Sequence, residues 1–255
     1  GPWSPDGAPV SDRLREPGVV RFLQKHVVDG EAVEPRPFPI PPEDLIVLAK
    51  YFLATESPDA VEFGNGKMLA DNFRFCGPVI GPLTKHEFMV NVKGIEFGDI
   101  FPDASARYHD FRVDMFEPNK VWYTSRATGQ NTGRGKPGSD TELLAGEPTG
   151  LTFVSAPEAN SIRFTEDGLV DQFTVGYVMD RSIGNTGGLG GFFGPLYAIG
   201  KNFPFEEAKP WRPSLGYQIY VRVGAFFNRL RCKLEGRPEE DGIYMPTGTG
   251  ELGLK

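Results

Sequence analysis

Around Ala106 the spacing of apolar residues switches from the helical period of about 3.6 to the strand period of about 2, and this limits the fold more than any single motif does. Before the switch, Pro42 and two acids open a helix through Leu53, with Leu45, Leu48, Ala49 and Phe52 on one face. A second helical stretch is expected over Asp59 to Leu69, although Gly64-Asn65-Gly66 interrupts it. Asn72 to Pro78 alternates and stops at Gly-Pro, as a short strand does. Thr84 and Glu87 form a capping box for a helix whose apolar face is Phe88, Val92 and Ile95. After the switch come four strand candidates, Ala106–Phe116, Lys120–Gly129, Gly150–Thr165 and Leu169–Met179, with turns at Glu117-Pro118-Asn119 and Glu166-Asp167-Gly168. Helices first and a strand meander second predict an α+β domain: a curved antiparallel sheet with N-terminal helices on one face. No βαβ order supports a Rossmann domain.

Two extensions flank this core. Residues 1–41 hold a short helical piece at Val19–Leu23 and the Pro-rich run Glu34–Pro42, which predicts an extended surface strap because proline fixes φ and removes donors. Residues 201–255 contain the aromatic run Tyr217–Phe227, which reads as a strand. The domain itself spans 42–200 and closes with the glycine-rich link Gly184–Pro195. That link has neither a Gly-Lys-Ser/Thr nor a strand-GxGxxG-helix frame, so close backbone packing is expected there instead of phosphate binding.

Composition removes several functions. With 27 Lys+Arg against 34 Asp+Glu the chain carries −7, and it has no long basic run, so it has no nucleic-acid footprint. No stretch approaches the roughly 18 apolar residues of a transmembrane helix. Cys76 and Cys232 lie far apart, and His26, His86 and His109 have no ligand-like spacing, so no metal site is expected. No signal peptide stands out. Gly1-Pro2 is compatible with a cleavage scar and hence with a removed targeting segment, and a soluble protein inside a cell or organelle is the expectation.

Asp180 is the first candidate for chemistry. It ends the apolar strand Phe173–Met179, and an acid against an apolar wall has a raised pKa suited to proton transfer near neutrality. The plain alternative is an Asp that caps the turn before Ser182 or pairs with Arg181 or Arg126. His109, beside Asp110, is a second candidate base, against which stands a structural or surface His. Twenty Phe, eight Tyr and three Trp supply either an ordinary core or an aromatic pocket for a flat apolar molecule. Trp122 and Tyr123 are adjacent, so only one faces the concave side, and alternation puts Tyr177 opposite Asp180.

The stretch Val121-Trp122-Tyr123-Thr124-Ser125-Arg126-Ala127-Thr128-Gly129-Gln130-Asn131-Thr132-Gly133 resembles the central strand signature of SnoaL-like polyketide cyclases. So do Leu69–Phe75, Gly81–Phe88, Gly146–Gly150 and the hairpin Ile162–Val170. The resemblance covers roughly 42–200 and implies the NTF2-like cone, a sheet wrapped around a long helix with a pocket inside. It also implies cofactor-independent acid/base chemistry of the isomerase, cyclase or dehydratase type. The substrate would be a small hydrophobic molecule such as a polyketide, terpenoid or carotenoid-like compound. In that frame Asp180 is the acid/base, with His109 and Asn131 in the catalytic set and Arg126 or Gln130 offering oxyanion contacts. Trp122, Tyr123, Tyr177, Phe75 and Phe164 would line the pocket. Where the cyclases carry histidines, this chain has Ala159-Asn160-Ser161 and, in the strand signature, Gln130-Asn131. The same superfamily contains non-catalytic members, so the alternative is a ligand-binding or assembly subunit. Its extensions would bind a partner protein or a second copy.

Overall fold

The computed structural model describes residues 14–27, 37–58, 60, 65–93 and 97–236. After helix α1 (Pro17–His26), which buries no residue, the core begins with α2 (Pro42–Thr55). Strands β1 (Leu69–Cys76) and β2 (Leu83–Thr84) and helices α3 (Lys85–Lys93) and α4 (Phe97–Ile100) follow. Then come β3 (His109–Val113), β4 (Lys120–Ser125), β5 (Thr128–Gln130), α5 (Asp140–Ala145), β6 (Thr152–Val154), β7 (Glu158–Phe164) and β8 (Val170–Val178). The described chain closes with α6 (Phe193–Ala198), a 3₁₀ turn at Glu206–Ala208, and α7 (Leu215–Glu235).

Six strands form one sheet in the order β2-β1-β8-β7-β4-β3, and β5 pairs with β6 in a separate ribbon. The expected α+β architecture, a curved sheet with helices against it, is the one observed. The sheet is antiparallel except for β1 and β8, which run parallel with Phe75 opposite Phe173. This pair adds β1, from before the long loops, to the β8 side of the later meander.

Proline at the first helical position and Glu43 and Asp44 in the first turn start α2, and its buried face is Leu45, Ala49, Phe52 and Leu53. That face meets Phe73, Phe75, Val121, Tyr123, Ile162, Phe164 and Phe173 from the sheet. Phe52 and Phe173 meet edge-on at 5.0 Å, and Phe88 sits 5.0 Å from Phe75 and 5.2 Å from Phe73. Phe38 and Ile40 of the Pro-rich segment pack against the same cluster, so the described part of this strap is pinned to the core. A smaller cluster of Ile100, Phe101, Ala145, Phe153, Leu196 and Ile199 lies under the β5–β6 ribbon and α6.

The capping box is formed as expected. The Glu87 carboxylate accepts the Thr84 N–H at 2.8 Å, and the Thr84 hydroxyl oxygen accepts the Glu87 N–H at 3.3 Å. Phe88 is fully buried, while the Val92 side chain and Ile95 lie outside the described residues. The glycine-rich link packs backbone on backbone. At Gly176 β8 has φ +83° and spends three residues where β7 spends two, a bulge that receives the link. A Cβ on Gly190 would stand 1.8 Å from the Gly176 carbonyl oxygen, so no larger residue fits there.

Three expectations are corrected. The helix expected over Asp59 to Leu69 is, in its described part, a turn running into β1, because Gly66 takes φ +76° and donates its N–H to Glu56 at 2.9 Å. The strands expected over Lys120–Gly129 and Gly150–Thr165 each break in two. Between Ser125 and Thr128 the chain leaves the main sheet, and Pro157 lacks the N–H to continue the partner ladder. The run Tyr217–Phe227 lies inside helix α7. Ser214 caps it by accepting the Tyr217 N–H at 3.1 Å, and Gly236 ends it with φ +65°. Its β-branched and aromatic content mimicked a strand, while its end signals were helical.

Phe173 touches α2, α3 and β1 at once, so Phe173→Ala should cost about 3–5 kcal/mol of stability, measured by urea unfolding.

Candidate functional site

Alternation along β4 puts Val121, Tyr123 and Ser125 on the helix-facing side of the sheet. Opposite them on β7 stand Ile162, Asn160 and Glu158 in register. The inner wall is therefore apolar at one end and polar at the other. The Glu158 carboxylate is 9% exposed and accepts the Ser125 hydroxyl at 3.2 Å and the Gly191 N–H at 3.1 Å. The Asn160 amide donates to Ser125 Oγ and to the Glu158 carbonyl, both at 3.0 Å, and its oxygen accepts the Gly176 N–H at 2.9 Å. One buried network thus ties β4, β7, the β8 bulge and the glycine-rich link together. Buried polar atoms are costly unless paired, and each of these side chains has its partners. Chemically, the set offers a carboxylate beside a hydroxyl, an arrangement able to hold or pass a proton.

Glu158, Ser125 and Asn160 were not singled out from the sequence. The available signal was polar residues at inward positions of strands whose other inward residues are apolar: Ser125 after Val121 and Tyr123, and Glu158 and Asn160 before Ile162 and Phe164.

The expected site residues scatter. Asp180 is exposed just beyond β8, and its carboxylate accepts the Ser182 hydroxyl at 2.6 Å and the Ser182 N–H at 2.9 Å. Those two bonds hold its pKa below the ordinary carboxylate value, opposite to the expected rise. The capping reading of Asp180 matches these contacts. His109 is at the start of the edge strand β3, half-exposed, with Nδ1 2.7 Å from the Arg107 carbonyl and Nε2 3.7 Å from Asp110. Asn131 is fully buried and spoken for: its oxygen accepts the Thr149 N–H and hydroxyl at 2.8 and 2.9 Å, and its amide donates to Ile100. It pins the 131–150 loop, and its donors and acceptor are not aimed at open space. These three residues share no hydrogen bond with one another.

Of the expected lining residues, Tyr123, Phe75 and Phe164 do come together, but as members of the filled aromatic core. Tyr123 stacks on Phe111 at 5.3 Å. Trp122 points to the other side, where its indole N–H donates to Asp114 at 2.7 Å. Arg126, Gln130 and Tyr177 are exposed; Gln130 donates to the Gly150 carbonyl and Tyr177 to the Gly77 carbonyl. An open groove lined by Asp71, Arg74, Thr84, Lys85, His86 and Met89 touches none of the expected residues. Among the described residues no group of three or more His, Cys, Asp or Glu could hold a metal ion.

The fold is α+β, a six-stranded sheet with helices packed against it and a separate two-stranded ribbon. No family model matches the chain, and no curated protein matches it in sequence. By structure it is similar to a protein of Jannaschia sp. CCS1 proposed as a SnoaL-like polyketide cyclase, at 15% identity and TM-score 0.37 over 53% of this chain and 87% of that one. It is also similar to AclR of Streptomyces galilaeus, proposed as a hydroxylase, at 13% identity and TM-score 0.41 over 75% of this chain and 98% of that one. A third likeness is to a proposed isomerase of the SnoaL-like family from Agrobacterium tumefaciens str. C58, at 13% identity and TM-score 0.33 over 52% and 96%. Two of these three are described as SnoaL-like, the family that the sequence resembles. At such identities and scores, none of them bears on reaction or substrate.

The Asp114 carboxylate is partly buried, which raises its pKa, but the N–H groups of Glu117 and Phe116, the Trp122 indole and Lys120 outweigh this and hold it low. A pKa lower in the folded than in the unfolded chain adds stability at neutral pH, which is lost as pH falls from about 3.9 through the folded value. Trp122→Phe should therefore raise the Asp114 pKa in an NMR titration and cost about 1 kcal/mol at neutral pH.

Proposed function

We propose that this chain is a non-catalytic binding or assembly subunit built on the NTF2-like cone, working through its C-terminal extension. The observation that carries this reading is that the cone is filled by its own side chains. Phe52, Phe73, Phe88, Phe164 and Phe173 are at most 1% exposed and pack together between the helices and the sheet. Asp180 stands outside, charged at neutral pH and engaged by Ser182. Apolar surface is instead displayed on α7, where Phe226 and Phe227 are 64% and 61% exposed.

One observation favours a second reading. Glu158, buried on the inner wall beside Ser125, is the carboxylate best placed for cofactor-independent isomerisation, cyclisation or dehydration of a small hydrophobic molecule, in place of Asp180. On that reading Glu158→Gln abolishes turnover and Asp180→Asn leaves it unchanged.

Native mass spectrometry of the protein from its own source, followed by organic extraction, separates the two. The subunit reading expects the polypeptide, alone or with a partner chain, and no stoichiometric small molecule whose retention depends on Glu158. A bound apolar molecule released by solvent, and retained less by Glu158→Gln, would overturn it in favour of the enzyme.

A further inference from the structure

Helix α7 is buried along one side only. Val221 and Cys232, 2% and 0% exposed, stand three turns apart on one face. At about 100° per residue, the opposite face carries Ile219, Val223, Phe226, Phe227, Leu230 and Leu234 within an arc of about 100°. These six are between 43% and 79% exposed. The stripe runs 16 residues, from Ile219 to Leu234, or about 24 Å at 1.5 Å per residue.

Charge is distributed around the stripe, not within it. Arg222, Arg229 and Lys233 follow one border, and Arg231 stands on the other. The single acid of the helix, Glu235, is taken by Arg231 at 2.8 Å. This basic frame lies in a chain whose net charge is −7. Antiparallel pairing of two copies of the stripe would set each basic border against its own counterpart, with no acid of the helix but the engaged Glu235 to receive it. An apolar face framed by long cationic side chains, whose stems lie along it while their heads reach outward, matches a surface that is apolar beneath and anionic at the rim. Tyr217 and Tyr220 crowd the N-terminal end, as does exposed Trp211, on whose ring Arg181 sits at 4.5 Å; amphipathic rings of this kind favour a lipid–water boundary. No helix among the described residues is long and apolar enough to cross a membrane, so the contact would lie in the plane of the surface.

We propose that α7 is an in-plane membrane-binding helix that lays its Ile219–Leu234 face on an anionic lipid surface. This rests on the subunit reading and supplies its partner. The full chain is sedimented with vesicles of phosphatidylcholine alone and with vesicles mixed in equal parts with phosphatidylglycerol. The wild type binds the anionic vesicles about 100-fold more tightly than the neutral ones, as three basic groups near the surface imply, and releases as salt rises. Phe226→Asp, at an exposed position that leaves the circular dichroism unchanged, loses binding to both. Arg222→Glu combined with Arg229→Glu loses the preference for the anionic vesicles.

Absence of vesicle binding by the wild type, or equal binding by Phe226→Asp, overturns the proposal. So does a lipid-free dimer, seen by analytical ultracentrifugation, that Phe226→Asp dissociates, because a second copy then covers the stripe. A defined acidic protein that binds the stripe in competition with the vesicles and more tightly overturns the lipid assignment while leaving the subunit reading in place. Small-molecule turnover abolished by Glu158→Gln defeats the subunit reading whatever the vesicles do.

Discussion

The packing of α2 onto the sheet through phenylalanine rings is the contact on which the rest of this protein depends. Phe52 on the helix meets Phe173 on β8, and Phe173 in turn meets Phe75 on β1 and Phe88 on α3. β8 lies between its parallel partner β1 and its antiparallel partner β7, so one ring anchors strands that are distant in sequence. Rings of this size gain from apolar burial and from edge-to-face contact together. The same packing fills the space between the helices and the sheet, and this turns the functional question from the interior toward the surface.

At the other end of the inner wall the stabilising chemistry changes from dispersion to hydrogen bonding. Ser125, Glu158 and Asn160 continue the inward rows of β4 and β7, but they bond to one another and to backbone N–H groups at Gly176 and Gly191. The β8 bulge and the glycine-rich link exist together because each needs the other. Gly176 opens the ladder, and the link brings the N–H that satisfies Glu158 while its missing side chains allow the approach. In a low-dielectric interior such a network is stable only when all members are paired, so a change at any of the glycines reaches the carboxylate.

Helix α7 follows a different logic. The core buries Phe52, Phe73, Phe88, Phe164 and Phe173, whereas α7 shows Phe226 and Phe227 on the side opposite its buried face and places its basic residues at the borders of that stripe. A helix whose own fold leaves that much apolar area uncovered is shaped for contact with something else.

Particular residues show how far the sequence could be read. Pro42 with Glu43 and Asp44, the Thr84–Glu87 box, and the turn at Glu166-Asp167-Gly168 marked element ends, because local capping and turn chemistry depends only on neighbours. The apolar period identified Leu45, Ala49 and Phe52 as core, and the switch to strand spacing gave the α+β class. The absence of a basic footprint was likewise fixed by composition. What local rules could not supply was partnership across the fold. That β1 pairs in parallel with β8, that the meander strands break at Ser125 and Pro157, and that Tyr217–Phe227 is helical were settled by contacts between remote segments and by end caps. Asp180 looked like a pocket acid because its strand is apolar. Ser182, two residues on, takes up its carboxylate at the surface, whereas Glu158 is buried because strand pairing sets it against Ser125 and the link folds over it. The α+β class, the inward rows of the core elements and the chain's charge were thus legible from periodicity and composition. Which carboxylate is enclosed, how tightly the rings fill the space under α2 and which side of the last helix faces outward follow from the packing, because burial belongs to the whole fold and to no residue alone.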